Sequence, residues 1–431
     1  MSIRQEVIIV GGGVAGLSAA YTLAKAGVEV MVLERGLNSG TKNVMGGVLY
    51  RQMMEEMIPD FWKEAPLERR IIEQRFWLMG KDSVTQSAYK DMSWDSPPYN
   101  NFTVFRSKFD QWFAKKCTEA GVLILNETLV TECIIKGNKV VGVRTNRPDG
   151  DVYADVVVLA DGVNSLLAKN LGFHKEWTSD QVALAVMEEI KLPAKVIEER
   201  FNVGPETGAT IEIYGESTQN MMGTAFIYTN KEHVSIGCGT LLSQLSKSNI
   251  KPYELLEMLK QNPLVKPFIE GGESAEYYAH LIPEGGYHSI PRLTGDGVLV
   301  IGDAAQLVNS IHREGSNLAM TSGRLAAEAI LQARRLGEFD EKTLSIYPRS
   351  LKESFVYQDL AKYKDAVHIM ERNPAYFNHH LPAVNSAMKE ILTVDGKSKR
   401  DKQWLIVKSY FKGRSFLKVL WDLFTLGKAM K

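Results

Sequence analysis

Three glycines near the start of the sequence have the spacing of a nucleotide-binding loop. Gly11, Gly13 and Gly16 follow the apolar run VIIV and precede an apolar pattern of helical period. In such a loop the first glycine permits a tight turn, the second lets the backbone approach a pyrophosphate, and the third lets the helix lie close to the sheet. The helix would begin at Val14 and Ala15, where free N–H groups and the positive dipole end attract phosphate. The chemistry predicted here is dinucleotide binding.

An acidic residue follows the second strand of the same unit. A second apolar run, VMVLER, ends in Glu34 and Arg35. Glu34 lies about 20 residues beyond the glycines, where a carboxylate binds ribose hydroxyls. Because strand, helix, strand and terminal acidic residue occur together, the pattern predicts a Rossmann-type unit rather than glycines placed by chance in a turn.

Two later strands also end in a turn that contains Asp and Gly. DVVVLADG ends at Asp161 and Gly162, and GDGVLVIGDAA contains Gly302 and Asp303. Each alone is an ordinary strand-to-turn junction. Together with the first loop, they resemble the three-part FAD signature of the glutathione-reductase-like flavoproteins, in which the carboxylate at the position of Asp303 approaches the ribityl chain. The resemblance implies that the nucleotide is FAD.

The same resemblance implies roles for residues between these segments. Arg106, in FRSKFDQW, matches an arginine that helps hold the FAD phosphates. Val130 matches a position whose backbone meets the adenine. The segment KNVMGG, which includes Gly46 and Gly47, is expected to wrap the flavin side of the site.

A last long helix is predicted from about Ser316 to Leu336, directly after Gly315. The resemblance implies that its N-terminus, at Ser316 and Asn317, points at the pyrimidine edge of the flavin, where the dipole stabilises negative charge. His312 precedes this helix, and we interpret it as a surface or structural residue.

The predicted fold class is α/β. It comprises an FAD-binding, Rossmann-type (glutathione-reductase-like) domain, an inserted antiparallel-sheet α+β domain, and a helical C-terminal region. Short strands such as ATIEIYG and HVSIGCGTLL indicate the inserted domain. The expected boundaries are 1–75, 101–172 and 291–338 for the FAD-binding domain, 76–100 and 173–290 for a substrate or quinone domain, and 339–431 for the C-terminal region.

Composition and missing motifs exclude several function classes. Lys plus Arg and Asp plus Glu both number 51, so the chain does not have the basic excess of a nucleic-acid-binding protein. Cys117, Cys133 and Cys238 are scattered, so no iron–sulfur cluster is expected in this chain. A second GxGxxG is absent, which argues against a separate Rossmann domain for NAD(P)H. We find no metal-ligand or catalytic-triad pattern, and no apolar run near the ~18 residues of a transmembrane helix.

Longer segments resemble a narrower family. GTKNVMGGVLYRQMMEEMIPDFW, DLAKYKDAVHIMERNPAYFNHHLPAVNSAMKEILTVDGKSKRDK and SFLKVLWDLFTLGKAMK are similar to FixC proteins. This family is related to electron-transfer flavoprotein:quinone oxidoreductase. That single-chain relative ends in a ferredoxin-like domain with four cluster cysteines, which this sequence does not have. In FixC systems the cluster sits on a separate ferredoxin-like chain, FixX.

The resemblance implies an FAD-dependent oxidoreductase that passes electrons from the flavoprotein pair FixA and FixB to a membrane quinone. In several such systems that pair bifurcates electrons from NADH, so bifurcation would belong to the partner. The expected location is cytoplasmic, on the inner face of the cell membrane. Three alternatives stay open: a geranylgeranyl-reductase-like enzyme that reduces isoprenoid lipids, a hydroxylase-type flavin monooxygenase, and a subunit that keeps FAD as a structural prop.

The end of the chain predicts an amphipathic helix that could lie in a membrane interface. Its apolar positions are Leu417, Leu420, Trp421 and Phe424, and its polar positions are Arg414, Lys418, Asp422 and Thr425. Flanking lysines would suit an anionic surface. The alternative is that the apolar face docks onto the protein's own core or onto a partner subunit.

Overall fold

The computed structural model describes residues 3–41 and 46–430. The strands, in chain order, are β1 (Ile3–Val10), β2 (Val30–Leu33), β3 (Gly46–Tyr50), β4 (Leu67–Met79), β5 (Val84–Lys90), β6 (Asn101–Phe105), β7 (Leu123–Leu125), β8 (Val130–Lys136), β9 (Lys139–Thr145), β10 (Asp151–Leu159), β11 (Val182–Lys191), β12 (Thr207–Gly215), β13 (Gly223–Thr229), β14 (His233–Leu241), β15 (Glu273–Pro283), β16 (Thr294–Gly295) and β17 (Val298–Val300).

The helices follow the same order. They are α1 (Val14–Lys25), α2 (Arg51–Met57), α3 (Arg106–Glu119), α4 (Leu166–Asn170), α5 (Ala194–Phe201), α6 (Leu242–Ser248), α7 (Pro252–Gln261), α8 (Lys266–Ile269), α9 (Ser316–Leu336), α10 (Glu341–Leu344), α11 (Ile346–Glu353), α12 (Phe355–Lys362), α13 (Ala366–Arg372), α14 (Leu381–Leu392), α15 (Lys399–Tyr410) and α16 (Phe416–Ala429).

The chain forms two compact units, each built from three segments. The first contains Met1–Leu67, Val104–Val182 and Ile282–Lys364, and the second contains Glu68–Thr103, Ala183–Leu281 and Asp365–Lys431. The predicted domain boundaries at 75, 100, 172 and 290 differ from the limits of these units and stay a prediction. The C-terminal region that we expected from 339 is shared, because α10–α12 belong to the first unit and α13–α16 to the second.

A parallel sheet lies at the centre of the first unit. Its strand order is β17–β10–β1–β2–β7, with β16 at one edge and the β8–β9 hairpin attached to β10. Val7 to Val10 are all buried. A strand that is apolar at every position is typical of a parallel sheet covered on both faces. This confirms the predicted α/β fold.

The second unit contains a mixed sheet with the strand order β15–β11–β14–β13–β12–β4–β6. β11 to β14, of which β12 and β14 contain the predicted strand segments, are antiparallel to their neighbours within that group. β4, which the sequence did not predict, pairs with β12 in parallel, so the sheet is mixed rather than antiparallel. Alternate residues such as Ile211, Ile213 and Ile236 form a core that includes Phe201 of α5 and Leu256 of α7.

The last helix, α16, buries one face, which contains Val419, Asp422 and Ala429. Oδ2 and Oδ1 of Asp422 accept hydrogen bonds from Arg414 at 2.5 and 2.6 Å. Asn373 donates to Oδ1 at 2.7 Å, and Nε2 of His380 lies 3.0 Å from Oδ2. Burial opposes the charge of Asp422, but these hydrogen bonds hold its pKa below the ordinary value. Lys418, which the periodicity grouped with Asp422, is exposed.

A stripe of large apolar side chains on α16 faces outward. Leu417 is 76% exposed, Trp421 65% and Phe424 62%. Docking of this face onto the protein's own core, one of the predicted alternatives, is therefore not what the structure shows. No helix in the described residues has both the length and the apolar character needed to cross a membrane.

Candidate functional site

The glycine loop between β1 and α1 has no room for side chains where the backbone turns. Gly11 has a φ of +109°, and a Cβ there would lie 2.2 Å from the carbonyl oxygen of Ala160. A Cβ at Gly16 would lie 2.1 Å from the carbonyl oxygen of Gly11. At Gly13 a Cβ would meet no described atom within 4 Å, and no side chain caps α1 there. The loop therefore has no room for side chains at Gly11 and Gly16. It has room at Gly13, the position predicted to face a pyrophosphate.

Glu34 is buried directly beneath this loop. Its Oε2 accepts the N–H of Gly12 at 2.8 Å, and its Oε1 accepts the N–H of Gly36 at 2.6 Å. Its backbone carbonyl accepts the N–H of Thr128 at 2.8 Å, which brings the segment leading to Val130 alongside. Each carboxylate oxygen can accept a second hydrogen bond. The arrangement therefore suits the recognition of ribose hydroxyls.

Arg106 and Asp303 interact in the first unit. Nε and Nη2 of Arg106 donate to the two carboxylate oxygens of Asp110 at 2.7 and 2.9 Å. Burial opposes the charge of Arg106, but Asp110, helped by Asp303, raises its pKa. Burial also raises the pKa of Asp303, and Arg106 partly offsets this. Two residues that the sequence assigned to different parts of an FAD site are thus brought together.

Helix α9 packs closely against α1, which follows the glycine loop. A Cβ at Gly302, where φ is +62°, would lie 2.7 Å from the Cβ of Ala15. A Cβ at Gly323 would lie 2.2 Å from the carbonyl oxygen of Ala15. Gly323, which lies within α9 and not at its start, therefore contacts the first turn of α1. The bounds predicted for this helix, 316–336, are confirmed, and Ser316 and Asn317 at its start are buried.

The remaining predicted residues differ in their surroundings. Oδ2 of Asp161 accepts the N–H of Leu167 at 3.3 Å, and burial raises the pKa of Asp161. Gly162 follows with a φ of +77°, and Gly315 precedes α9 without a side-chain cap. Arg35 is exposed, whereas Val130 and Gly47 are buried. Residues 42–45 of the predicted flavin-side loop lie outside the described residues.

Several buried polar atoms of the first unit have no hydrogen-bond partner among the described residues. They are Oγ of Ser39, Oδ1 of Asp161, Nε2 of Gln306, Nδ2 of Asn309 and Oδ1 of Asn317. Leaving such a group unsatisfied costs about 1–3 kcal/mol, so a polar ligand is expected to contact them. FAD fits, because its hydroxyls, phosphates and ring carbonyls supply both donors and acceptors.

Ser39, Gln306 and Asn309 were missed by the sequence analysis. A Cβ on Gly12 would lie 2.6 Å from Oγ of Ser39, so this hydroxyl lies next to the glycine loop. Gln306 and Asn309 follow Asp303 within one short segment. Ser39 follows the ERGL segment and Gln306 and Asn309 follow the GDAA turn, but spacing alone does not tell which polar residue is buried.

Two family models match the chain. One, described as an FAD binding domain, matches residues 4–223, and the other, the ETF-QO/FixC family C-terminal domain, matches residues 366–431. "Protein FixC" of Bradyrhizobium diazoefficiens is 47% identical over 431 residues, covering 99% of this chain and 99% of the relative. The chain belongs to the FixC family. It is also 46% identical to "Protein FixC" of Azotobacter vinelandii over 432 residues, covering 100% of both.

The relation to quinone oxidoreductases is visible in a more distant relative. "Probable electron transfer flavoprotein-quinone oxidoreductase YdiS" of Escherichia coli K12 is 35% identical to this FixC-family chain over 394 residues, covering 91% of both. Solved structures share the fold. A geranylgeranyl bacteriochlorophyll reductase-like protein from Thermoplasma acidophilum aligns with a TM-score of 0.75 at 18% identity, covering 99% of this chain and 100% of that one. The flavin-dependent brominase Bmp2 aligns with a TM-score of 0.66 at 19% identity, covering 95% and 100%.

Family membership, the matched FAD-binding domain and the fit of the site to FAD all indicate the same activity. This FixC-family chain is an FAD-dependent oxidoreductase. When bound, FAD supplies the ability to accept and release electrons. The chain's own residues bind the cofactor, orient it and set the charge around it.

Proposed function

We propose that this FixC-family protein passes electrons from an electron-transfer flavoprotein pair like FixA and FixB, through its FAD, to a membrane quinone. The main support for this proposal is that the chain is 46–47% identical, over essentially its whole length, to proteins named FixC. The relative YdiS, named a probable electron transfer flavoprotein-quinone oxidoreductase, supports both the donor and the acceptor.

Within this proposal, the residues of the glycine loop and its neighbours bind FAD. Glu34 holds the adenosine ribose, because its carboxylate already lies under the loop. Arg106 acts near the phosphates, and Asp303 acts near the ribityl chain. The N-terminus of α9 faces the flavin, which is supported by the buried Asn317 there, whose Oδ1 has no partner among the described residues.

Two further parts of the proposal concern partners. The sequence has three cysteines, fewer than the four that hold a ferredoxin-type cluster, so we place the cluster on a FixX-like chain. A single GxGxxG loop leaves no Rossmann site for NADH, so bifurcation, where it occurs, belongs to the flavoprotein pair.

The decisive experiment follows flavin absorbance in the purified FAD-loaded chain. We expect little bleaching by NADH alone, rapid bleaching when NADH and the flavoprotein pair are both present, and reoxidation by a quinone analogue. Rapid bleaching of the isolated chain by NAD(P)H would contradict the proposal. Reduction of a geranylgeranyl lipid after dithionite treatment would support the isoprenoid-reductase alternative instead.

We also propose that α16 holds the protein at the inner face of the cell membrane, where the quinone is dissolved. Its outward face carries Leu417, Trp421 and Phe424, while its polar face is bonded inward through Asp422. Exposed Lys418 and the nearby lysines suit anionic headgroups. Aromatic and basic residues on one surface helix are typical of interfacial binding.

Vesicle binding tests this part. We expect the wild type to co-sediment with vesicles containing anionic lipid, and the triple variant Leu417→Gln, Trp421→Gln, Phe424→Gln to stay in the supernatant. Val394→Gln, at a 92% exposed apolar residue of the same unit, is the matched control. Unchanged binding of the triple variant would reject α16 as the membrane contact.

A further inference from the structure

Helix α15 is attached to α14 through a buried lysine. Lys402 is 1% exposed, and its Nζ donates hydrogen bonds to the carbonyl oxygen of Glu390, at 3.1 Å, and to that of Thr393. The same ammonium lies 2.9 Å from Oδ1 of Asp395. The last carbonyls of a helix have no partner within the helix itself, so Lys402 satisfies the C-terminus of α14. One side of α15 is therefore fixed to the protein by a polar side chain.

The end of α15 is attached to α16. The hydroxyl of Tyr410, its last residue, lies 2.8 Å from Nδ1 of His380, whose Nε2 lies 3.0 Å from Oδ2 of Asp422 in α16. Phe411, directly after α15, contacts Phe416, the first residue of α16, with the ring centroids 5.6 Å apart. The two helices are thus neighbours, and both are held by buried polar groups.

The opposite side of α15 faces outward and is both apolar and basic. Trp404 is 68% exposed and Val407 is 47% exposed. Arg400 and Lys408 are exposed as well, and no ion pair joins either charge to another described residue. These four positions are three or four residues apart, so they form one stripe along the helix. Exposed apolar side chains that are grouped in this way indicate a binding surface.

The charge of this region favours a lipid surface over a protein partner. Between residues 396 and 430, Lys and Arg number nine and Asp and Glu number two, although the whole chain has 51 of each. Lysine is depleted at the centre of protein–protein interfaces, but here Lys408 lies one turn after Trp404 on the same stripe. Basic and aromatic residues together on a surface helix are typical of binding to a bilayer with anionic headgroups.

We propose that α15 is a second membrane-binding helix, which recognises anionic lipids. Trp404 and Val407 enter the headgroup region, and Arg400 and Lys408 bind the lipid phosphates. This inference rests on the proposed function, because it extends the membrane contact of α16. Binding through one helix brings the other to the surface, so the two together bind far more tightly than either alone.

Quenching of tryptophan fluorescence by vesicles of brominated lipid tests whether Trp404 enters the bilayer. The full FAD-loaded chain is used. We expect Trp421→Phe to retain part of the quenching of the wild type, and Trp404→Phe added to it to remove that part. If Trp404→Phe alone keeps the wild-type quenching and Trp421→Phe loses all of it, the proposal is overturned while the contact through α16 stands. A wild type that is not quenched would refute both contacts.

A second measurement tests the recognition of charge. Arg400→Gln with Lys408→Gln should weaken binding to vesicles of phosphatidylserine and phosphatidylcholine by about 25-fold, because each basic residue near an anionic surface contributes about fivefold. Binding to vesicles of phosphatidylcholine alone should not change. The matched control is Lys191→Gln with Lys247→Gln, which removes the same charge from two exposed positions of the second unit and should bind like the wild type. Equal affinities of the two double variants for the anionic vesicles would overturn the proposal.

Discussion

The glycine loop and the C-terminal helix use buried polar groups in opposite ways. Around the loop, Ser39, Gln306 and Asn317 are buried with atoms that no described residue satisfies. In α16, the buried carboxylate of Asp422 is fully engaged by Arg414, Asn373 and His380, and large apolar side chains such as those of Leu417 and Trp421 are exposed. Unsatisfied polar atoms indicate a small polar ligand, whereas exposed apolar side chains indicate a membrane or a partner surface.

The largest effect is expected at Gly16, where the glycine loop has no room for a side chain. In Gly16→Ala, the new Cβ would meet the carbonyl oxygen of Gly11, which cannot move without displacing β1. We expect a loss above about 4 kcal/mol in the free energy of unfolding, and a chain without FAD. The measurements are the urea midpoint and the ratio of flavin to protein absorbance.

Gly27→Ala is the control for backbone conformation alone. Gly27 has a φ of +75°, but a Cβ there would meet no described atom within 4 Å. Its cost should be about 1–2 kcal/mol, with FAD retained. Equal losses in the two variants would mean that the close approach at Gly16 does not decide nucleotide binding.

The second prediction tests the inward polar face of α16. Asp422→Asn removes the charge that faces Arg414, and we expect the free energy of unfolding to fall by about 3 kcal/mol at neutral pH. Because the folded-state pKa of Asp422 is lowered, this stabilisation is complete above the ordinary aspartate range and is lost as the pH falls through the lowered pKa. Urea unfolding from neutral to acidic pH measures it. Asp401→Asn, at an exposed site, should change stability by less than about 1 kcal/mol.

The third prediction concerns the carboxylate under the loop. Glu34→Gln replaces one oxygen by an amide that turns a donor towards the N–H of Gly12 or of Gly36. We expect affinity for FAD to fall at least about tenfold, measured by titrating the apoprotein and following flavin fluorescence. Glu29→Gln, at an exposed position, should bind FAD like the wild type. Equal affinities would remove Glu34 from the proposed site.

The smallest effect is expected on the outward face of α16. The triple variant at Leu417, Trp421 and Phe424 should change the urea midpoint no more than ordinary surface substitutions do, within about 0.5 kcal/mol for each position. A large loss of stability would show that these side chains pack against the protein. In that case, loss of vesicle binding in the triple variant would no longer demonstrate a membrane contact.

The parts of the fold that depend on local spacing could be predicted from the sequence. The glycines set the β1–α1–β2 unit, and the bounds of α9 follow from its own apolar period. β4 was missed because its charged residues hide the pattern. Arg69 is buried there by donating to the carbonyls of Asn230, Gly204, Thr207 and Lys231, which are distant in sequence.

The orientation of α16 could not be predicted for a related reason. Periodicity separates Leu417 and Trp421 from Asp422, but it does not say which side faces the protein. The usual expectation is that the apolar side is buried. Here the partners of Asp422 come from other parts of the second unit, and only the folded structure shows that Asp422 is buried while Leu417 and Trp421 are exposed.

The order of segments along the chain also determines when the cofactor site is completed during synthesis. The glycine loop leaves the ribosome early, whereas Gly302 and α9, which pack against Ala15, are made near the end of the first unit. At roughly 5–20 residues per second, α1 waits on the order of 15–60 s for its neighbour. During that time its apolar surface is available to chaperones, and FAD capture becomes a late step in the biogenesis of the protein.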